Sequence, residues 1–311
     1  MDIGVAITDA VADADGNTVD ETVRLGRQAA EAGLRSVWLG QRLDYDSVAL
    51  AGIVGREVPG LAVGTAAVPI FARHPILVSS QAQTAQAATH GRYTLGLALG
   101  SKAMTETAFG EPHDRPIRRL REFLTALRSL LADGTADFHG EILTAVTPIP
   151  AAVAGATPPV PVLVAAMGPQ ALRAAGELAD GTLPLFVTPK VLAEHIVPPI
   201  TEAAARSGRA APRITVFVPA VVTLNVAAAR AAAITATAFY DRVPSYQRVT
   251  ALAGASRTAD LVTLGDEQTV AAAVRNYFDA GATEVIATQT NLLGEQARLR
   301  TWQLFGELAR G

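Results

Sequence analysis

A repeated cadence of helix, glycine and short apolar strand is what most limits the folds open to this chain. Ala32-Gly33 precedes SVWL, His90-Gly91 precedes YTLGLAL, Asp180-Gly181 precedes TLPLF, and Ala280-Gly281 precedes EVIAT. Two further steps lack that glycine register: Val58-Pro59-Gly60 before LAVGTAA, and the Pro212 break before ITVFVPAVV. Strands around Ile3, Val37, Ala62, Thr94, Val162, Leu183, Val216 and Val285 make eight, and helical patterns separate nearly all of them. Alternation of this kind produces parallel strands. Eight units predict one α/β domain over residues 1–311, a (β/α)8 TIM barrel rather than an open sheet. Two stretches are too long for ordinary barrel connections. The first, 134–160, has a short hairpin expected around 138–143; the second, 226–281, has helices expected over 227–241, 246–253 and 266–279. Both insertions are expected at the carboxyl-terminal face, where such segments build substrate pockets.

The stretch 161–181, PVLVAAMGPQALRAAGELADG, shows the cadence at its clearest. Val162, Leu163 and Val164 form a buried strand, Met167-Gly168-Pro169 turns the chain, and Pro169 suits a first helical position, where its missing N–H has no partner to lose. Leu172, Ala175, Gly176 and Ala179 give the helix an apolar face, and Gly181 is expected to end it in the left-handed conformation. Free amides at the positive end of a helix beyond a strand can hold an anion, phosphate above all, although every βα turn shares this shape. Near the N-terminus, Thr18 with Glu21 reads as a capping box after the polar loop TDAVADADGN.

Composition removes several classes of function. A net charge of -3 gives no electrostatic case for nucleic acid or an anionic membrane surface. The absence of cysteine rules out disulfides, thiolate metal sites and cysteine nucleophiles. MDIGVAITDA has no basic region before an apolar core, so no secretory signal is read and a cytoplasmic protein is expected. The uncharged run 142–172 is long enough to span a bilayer, but its six prolines forbid a continuous helix.

No catalytic constellation is visible. The five histidines, His74, His90, His113, His139 and His195, lie far apart without metal-ligand spacing, so no metal site is expected. His74 opens the helix after strand three and reads as a helix-start residue before a catalytic one. Lys102 and Lys190, the only lysines, fall near strand ends, where solvation is the default. Arg118 and Glu122, four apart, read as an ion pair on a solvated helix face. Small residues dominate the strand ends, which suits a flat ligand lying against the backbone.

Taken in order, GTAAVPIFARHPILVSSQAQTAQAATHGRYTLGLALGS (64–101), FGEPHDRPIRRLREFL (109–124), VLVAAMGPQALRAAGELADGTLPL (162–185) and FYDRVPSYQRVTALAG (239–254) resemble the bacterial luciferase-like superfamily. Within it, the chain resembles the deazaflavin branch that uses coenzyme F420. The resemblance covers almost the whole chain and implies a (β/α)8 barrel, a homodimer and a small-molecule substrate. It further implies that Ala66 and Ala67 occupy a bulge after strand three, with a non-proline cis peptide behind the cofactor ring. Gly100 and Ser101 would line the ring or its side chain, and Ala166, Met167, Gly168, Pro169 and Gln170 would bind the cofactor phosphate. Where better-studied relatives carry an acid and a histidine after strand two, this chain has Gly40 and Gln41. Gln41 can exchange hydrogen bonds with the cofactor but cannot move a proton at neutral pH. The expected function is hydride transfer between coenzyme F420 and a small organic molecule. The alternatives are an FMN-dependent monooxygenase of the same superfamily and a non-catalytic flavin- or deazaflavin-binding protein.

Overall fold

Eight parallel strands close into a barrel in the computed structural model, which describes residues 1–8 and 16–311. They are β1 (Ile3–Ile7), β2 (Ser36–Leu39), β3 (Ala62–Thr65), β4 (Tyr93–Ala98), β5 (Val162–Val164), β6 (Gly181–Thr182), β7 (Arg213–Val222) and β8 (Glu284–Thr288). Each pairs with its sequence neighbour, and β8 closes on β1 with Ile286 opposite Gly4. Every residue of β1, β2, β5 and β8 is buried, because the barrel interior covers one face and the helices cover the other. Of the polar loop expected at 8–17, residues 9–15 lie outside the described residues.

Ten helices matter here: α1 (Thr18–Ala32), α2 (Ser47–Glu57), α3 (Pro75–Ala88), α4 (Pro116–Asp133), α5 (Pro169–Leu178), α6 (Val197–Arg206), α7 (Val226–Thr237), α8 (Pro244–Leu252), α9 (Glu267–Asp279) and α10 (Glu295–Arg310). The cap of α1 is Asn17 rather than Thr18: its Oδ1 accepts from Val19 N at 2.8 Å and Asp20 N at 3.4 Å. Gly33 stops α1 in the left-handed region, as expected. Gly181 behaves differently. It opens β6, and a Cβ there would lie 2.0 Å from Arg213 O, so its role is close approach of two strands.

The interior is divided by height. At the amino-terminal strand ends, the buried carboxylate of Glu284 accepts from Ser36 Oγ at 2.7 Å, Thr215 Oγ1 at 3.0 Å and Arg213 at 3.1 Å. Above them Trp38, Leu163, Leu183, Phe217 and Ile286 fill the barrel, with Trp38 and Phe217 edge to face at 5.7 Å. This plug closes the lower end and leaves the carboxyl-terminal face to receive a ligand.

A bulge shapes that face. Gly64 pairs with Thr94 and Val68 with Leu97, so three residues of one strand stand opposite two of the next. Thr65 bridges the gap: its Oγ1 donates to Gly96 O at 3.1 Å and accepts from Gly96 N at 2.9 Å. The Ala66–Ala67 peptide that follows is cis, as the resemblance implied.

The two insertions part company. Segment 134–160 joins the end of α4 to the start of β5 and packs against both helices, with Gln83 and Gln86 of α3 bonded to Ala151, Val153 and Pro158. Its hairpin reaches the amino-terminal ends of α3 and α4 through His74 and Glu122, and none of its residues lines the cavity described below. Its hairpin is present, with Asp137–His139 antiparallel to Thr144–Val146. The turn is held by Glu122, which is buried rather than solvated and accepts from the amides of Glu141, Ile142 and Leu143 at 2.9–3.1 Å while pairing with Arg118 at 3.2 Å. His74 is a helix-start residue: Nδ1 accepts from Ile76 N, and Nε2 donates to Thr144 O at 2.9 Å. Segment 226–281 carries α7, α8 and α9, close to the helices expected, and adds a short strand, Thr263–Gly265, alongside the end of β7.

Gly96 is the most constrained point of the bulge, since a Cβ there would sit 1.9 Å from Thr65 O and 2.8 Å from Leu183 Cδ2. Gly96→Ala is expected to lower stability by about 1–3 kcal/mol or more through overpacking. Urea unfolding checks this, and an unchanged midpoint would contradict the contact.

Candidate functional site

The turn after β5 is built by one hydroxyl. Thr182 Oγ1, on β6, donates to Val164 O at 2.8 Å and Ala166 O at 3.0 Å and lies 3.4 Å from Ala166 N. With Ala166 held and fully buried, Met167 and Gly168 turn outward into α5. Gly168 caps that helix in an extended conformation (φ -87°, ψ 150°) without a side-chain bond, and Pro169 fills the first position. The next amides, of Gln170 and Ala171, belong to the first turn and have no intrahelical acceptor. A Cβ at Gly168 would meet nothing within 4 Å, so open space lies before this helix end.

That space is a cavity of about 650 Å³ over the carboxyl ends of β4, β5 and β6, within the range of small-molecule and cofactor sites. Gly100, Ser101, Met167, Gly168, Pro169 and Gln170 all line it, so six of the ten expected residues meet in one place. Gly100 turns the chain away at φ 76°. Ser101 Oγ also caps the short helix Lys102–Ala108 by accepting from Met104 N at 3.2 Å. Ala165, Leu183 and Leu185 form the floor and belong to the barrel-interior cluster, in which Ala66 and Ala67 pack as well. Those two alanines and the buried Ala166 adjoin the floor without lining the cavity.

Gln41 does not join it. Its Nε2 donates to Arg42 O and Tyr45 O at 2.6 Å, and its Oε1 accepts from Ser47 N at 3.2 Å and Ser47 Oγ at 2.9 Å. The amide is spent on holding the loop between β2 and α2, which uses its full donor and acceptor capacity.

The opposite wall comes from 226–281 and is aromatic. Tyr240 and Tyr246 meet edge to face at 4.9 Å, and Phe186 touches them at 4.9 and 5.8 Å. Phe186 is fully buried and sits at φ 58°, a conformation a bulky residue adopts only under constraint from its surroundings. Burial, with the neighbouring Tyr240, holds the Tyr246 hydroxyl well above the ordinary tyrosine range, so it stays protonated at neutral pH. Phe239, Arg248 and His113 also line the cavity. Sequence reasoning passed over Tyr240, Tyr246 and His113 as site residues, because only the fold brings 113, 186 and 240–248 together. The lysines stay solvated: Lys102 pairs with Glu106 at 3.9 Å, and Lys190 is exposed.

A closed parallel barrel carries at its open face a bulged third strand, a helix end without a side-chain cap and an aromatic wall, an arrangement able to receive a small-molecule ligand. The comparisons agree. The family model described as luciferase-like monooxygenase matches residues 1–284, and the chain belongs to that family of oxidoreductases. An uncharacterised protein of Mycobacterium tuberculosis is 34% identical over 243 residues, covering 74% of this chain and 70% of that one. A putative coenzyme F420-dependent oxidoreductase of the same organism is 26% identical over 182 residues, 52% of this chain and 50% of that one. Among solved structures, the coenzyme F420 dependent tetrahydromethanopterin reductase from Methanopyrus kandleri superposes with a TM-score of 0.79 at 18% identity, covering 98% and 97% of the two chains. Among the described residues, no helix is long and apolar enough to cross a membrane.

The structural role of Gln41 predicts that Gln41→Ala lowers stability by about 1–3 kcal/mol, because Ser47 and the loop carbonyls lose their partner. Chemical denaturation checks this. A variant as stable as the parent would contradict the role.

Proposed function

We propose that the cavity holds coenzyme F420 and that the protein transfers a hydride between it and a small organic substrate. The observation that carries this reading is the meeting, in one cavity, of an uncapped helix end, a floor of small and aliphatic residues and a wall of rings. A flat tricycle with an anionic tail suits those three surfaces. The amides of Gln170 and Ala171, with the helix dipole behind them, would face the phosphate. Ala165, Leu183 and Leu185 would lie under the ring, and Ala66 and Ala67 would fix that floor from below. When bound, the cofactor supplies the hydride chemistry, while the protein supplies orientation and exclusion of water. The relative described as F420-dependent supports the choice of cofactor. A homodimer and a cytoplasmic location belong to the same reading.

The family's description as monooxygenase favours a second reading, in which FMN is the cofactor. Titrating the purified protein with each, followed by fluorescence, separates the two. Micromolar binding of F420 is expected, and binding of FMN alone would overturn the first reading. Binding of F420 with no turnover of the reduced form across enones, ketones and alcohols would favour a carrier protein instead.

The phosphate assignment has its own test in Gly168→Asp. The new carboxylate fits the open space, can cap α5 itself and repels an anion there. F420 affinity is expected to fall tenfold or more, about 1.4 kcal/mol, with thermal stability maintained. Unchanged affinity in the folded variant would refute the assignment.

A further inference from the structure

Burial holds three tyrosine hydroxyls well above the ordinary tyrosine range, those of Tyr93, Tyr246 and Tyr277. Two of them are paired inside the protein: the Tyr93 hydroxyl lies 3.3 Å from Thr65 Oγ1, and that of Tyr277 donates to Val187 O at 2.8 Å. Tyr246 is the one that lines the cavity, and its hydroxyl has no hydrogen-bond partner among the described residues. Nor is that hydroxyl sealed. Among the described residues, the unpaired side-chain atoms closed off from solvent are His113 Nε2, Arg119 Nε, Thr250 Oγ1 and Arg298 Nε. The half-buried Tyr246 is not one of these, so its oxygen keeps surface that a ligand in the cavity can touch. The ring is fixed by its edge-to-face contacts with Tyr240 at 4.9 Å and Phe186 at 5.8 Å. A neutral O–H donor therefore stands at a set place on the cavity wall, and its partner has to enter the cavity.

Other polar groups of the lining are placed differently. Gln170, Ser245 and Arg248 are exposed, Ser101 Oγ is engaged by Met104 N, and His113 Nε2 is closed off. A desolvated, preorganised donor acts most strongly where negative charge develops, and hydride addition to a carbonyl carbon puts that charge on oxygen. We propose that Tyr246 is a catalytic residue whose hydroxyl binds the oxygen of a ketone or aldehyde substrate and protonates it as the carbonyl is reduced. In this step the hydride brings two electrons and forms the new C–H bond, the carbonyl π pair becomes an oxyanion, and the phenolic proton passes to that oxygen. The cofactor is oxidised, the carbonyl is reduced to an alcohol, and water returns a proton to the phenolate. The transfer runs downhill because an alkoxide is a far stronger base than a phenolate. The hydride rests on the F420 reading above; the contact between Tyr246 and the carbonyl oxygen does not.

The test uses the whole protein labelled with ¹³C at tyrosine Cζ; of its five tyrosines, Tyr246 is the one whose signal is lost in Tyr246→Phe. That variant keeps the ring against Phe186 and Tyr240 and removes only the hydroxyl. Cyclohexanone and methylenecyclohexane, which has carbon in place of the oxygen, serve as probes, and F420 binding is measured separately on each protein. Cyclohexanone is expected to shift the Tyr246 signal and to bind roughly threefold or more tightly to the parent than to Tyr246→Phe. Methylenecyclohexane should bind the two alike. On whichever ketone or aldehyde the parent reduces with F420, Tyr246→Phe is expected to lower kcat about a hundredfold with KM and F420 affinity little changed, since the donor acts on charge that develops in the transition state. An unmoved Tyr246 signal, equal cyclohexanone affinity, an unchanged kcat, or no reduction of any ketone or aldehyde would each overturn the proposal. So would a Tyr246 shift caused by F420 alone and unaltered by the ketone, which would give the hydroxyl to the cofactor. Failure of the parent to bind F420 would instead refute the cofactor reading and leave the cyclohexanone shift and affinities readable.

Discussion

The exchange of hydrogen bonds between Thr65 and Gly96 is the contact on which the upper half of the barrel depends. An extra residue in the third strand would leave ladder groups unpaired, and a threonine hydroxyl takes both roles that the missing backbone partner would have played. Gly96 permits this only because it lacks a side chain. The bulge then sets Ala66 and Ala67 into the interior cluster beside Ala165 and Leu185, which are the cavity floor. Thr182 does comparable work two strands away, fixing Ala166 so that Gly168 emerges at the mouth of α5.

Below this level the molecule is built for rigidity. Buried Glu284 is matched by Ser36, Thr215 and Arg213, so removing any one partner leaves a charge poorly compensated in a closed space. Above it, the walls come from elements outside the regular cadence. The α7–α8 region supplies the rings, and Phe186, in the segment that follows β6, locks them through a backbone conformation that only dense packing sustains. A fixed floor with a wall borrowed from an insertion lets one barrel serve many substrates by changing the wall.

Much of this was legible in the sequence, and the limits have physical causes. Strand number and order followed from apolar runs separated by helical patterns, because a strand buried on both faces has to read that way. The turn at Met167–Pro169 was legible for the same local reason. The loop-holding bonds of Gln41 were not legible because proximity to a strand end does not say where a side chain points, and its amide turns back into its own loop. Segment 134–160 follows a helix and precedes a strand, so it starts from the closed end of the barrel, and its path back up along α3 and α4 was not legible because the contacts that guide it join distant parts of the chain. Glu122 looked solvated because helical spacing to Arg118 was visible, whereas the three amides that bury it arrive from about twenty residues downstream. His113 carried no local signal, since stacking on Phe71 exists only in the folded chain.

A crystal structure of the protein soaked with coenzyme F420 tests the placement of the cofactor most directly. The tricycle should lie between the Ala165–Leu185 floor and the Tyr240–Tyr246 wall, with the phosphate against the amides of Gln170 and Ala171. Density for the cofactor elsewhere, for example in the separate cavity of about 700 Å³ beside Gln289 and Asn291, would contradict it.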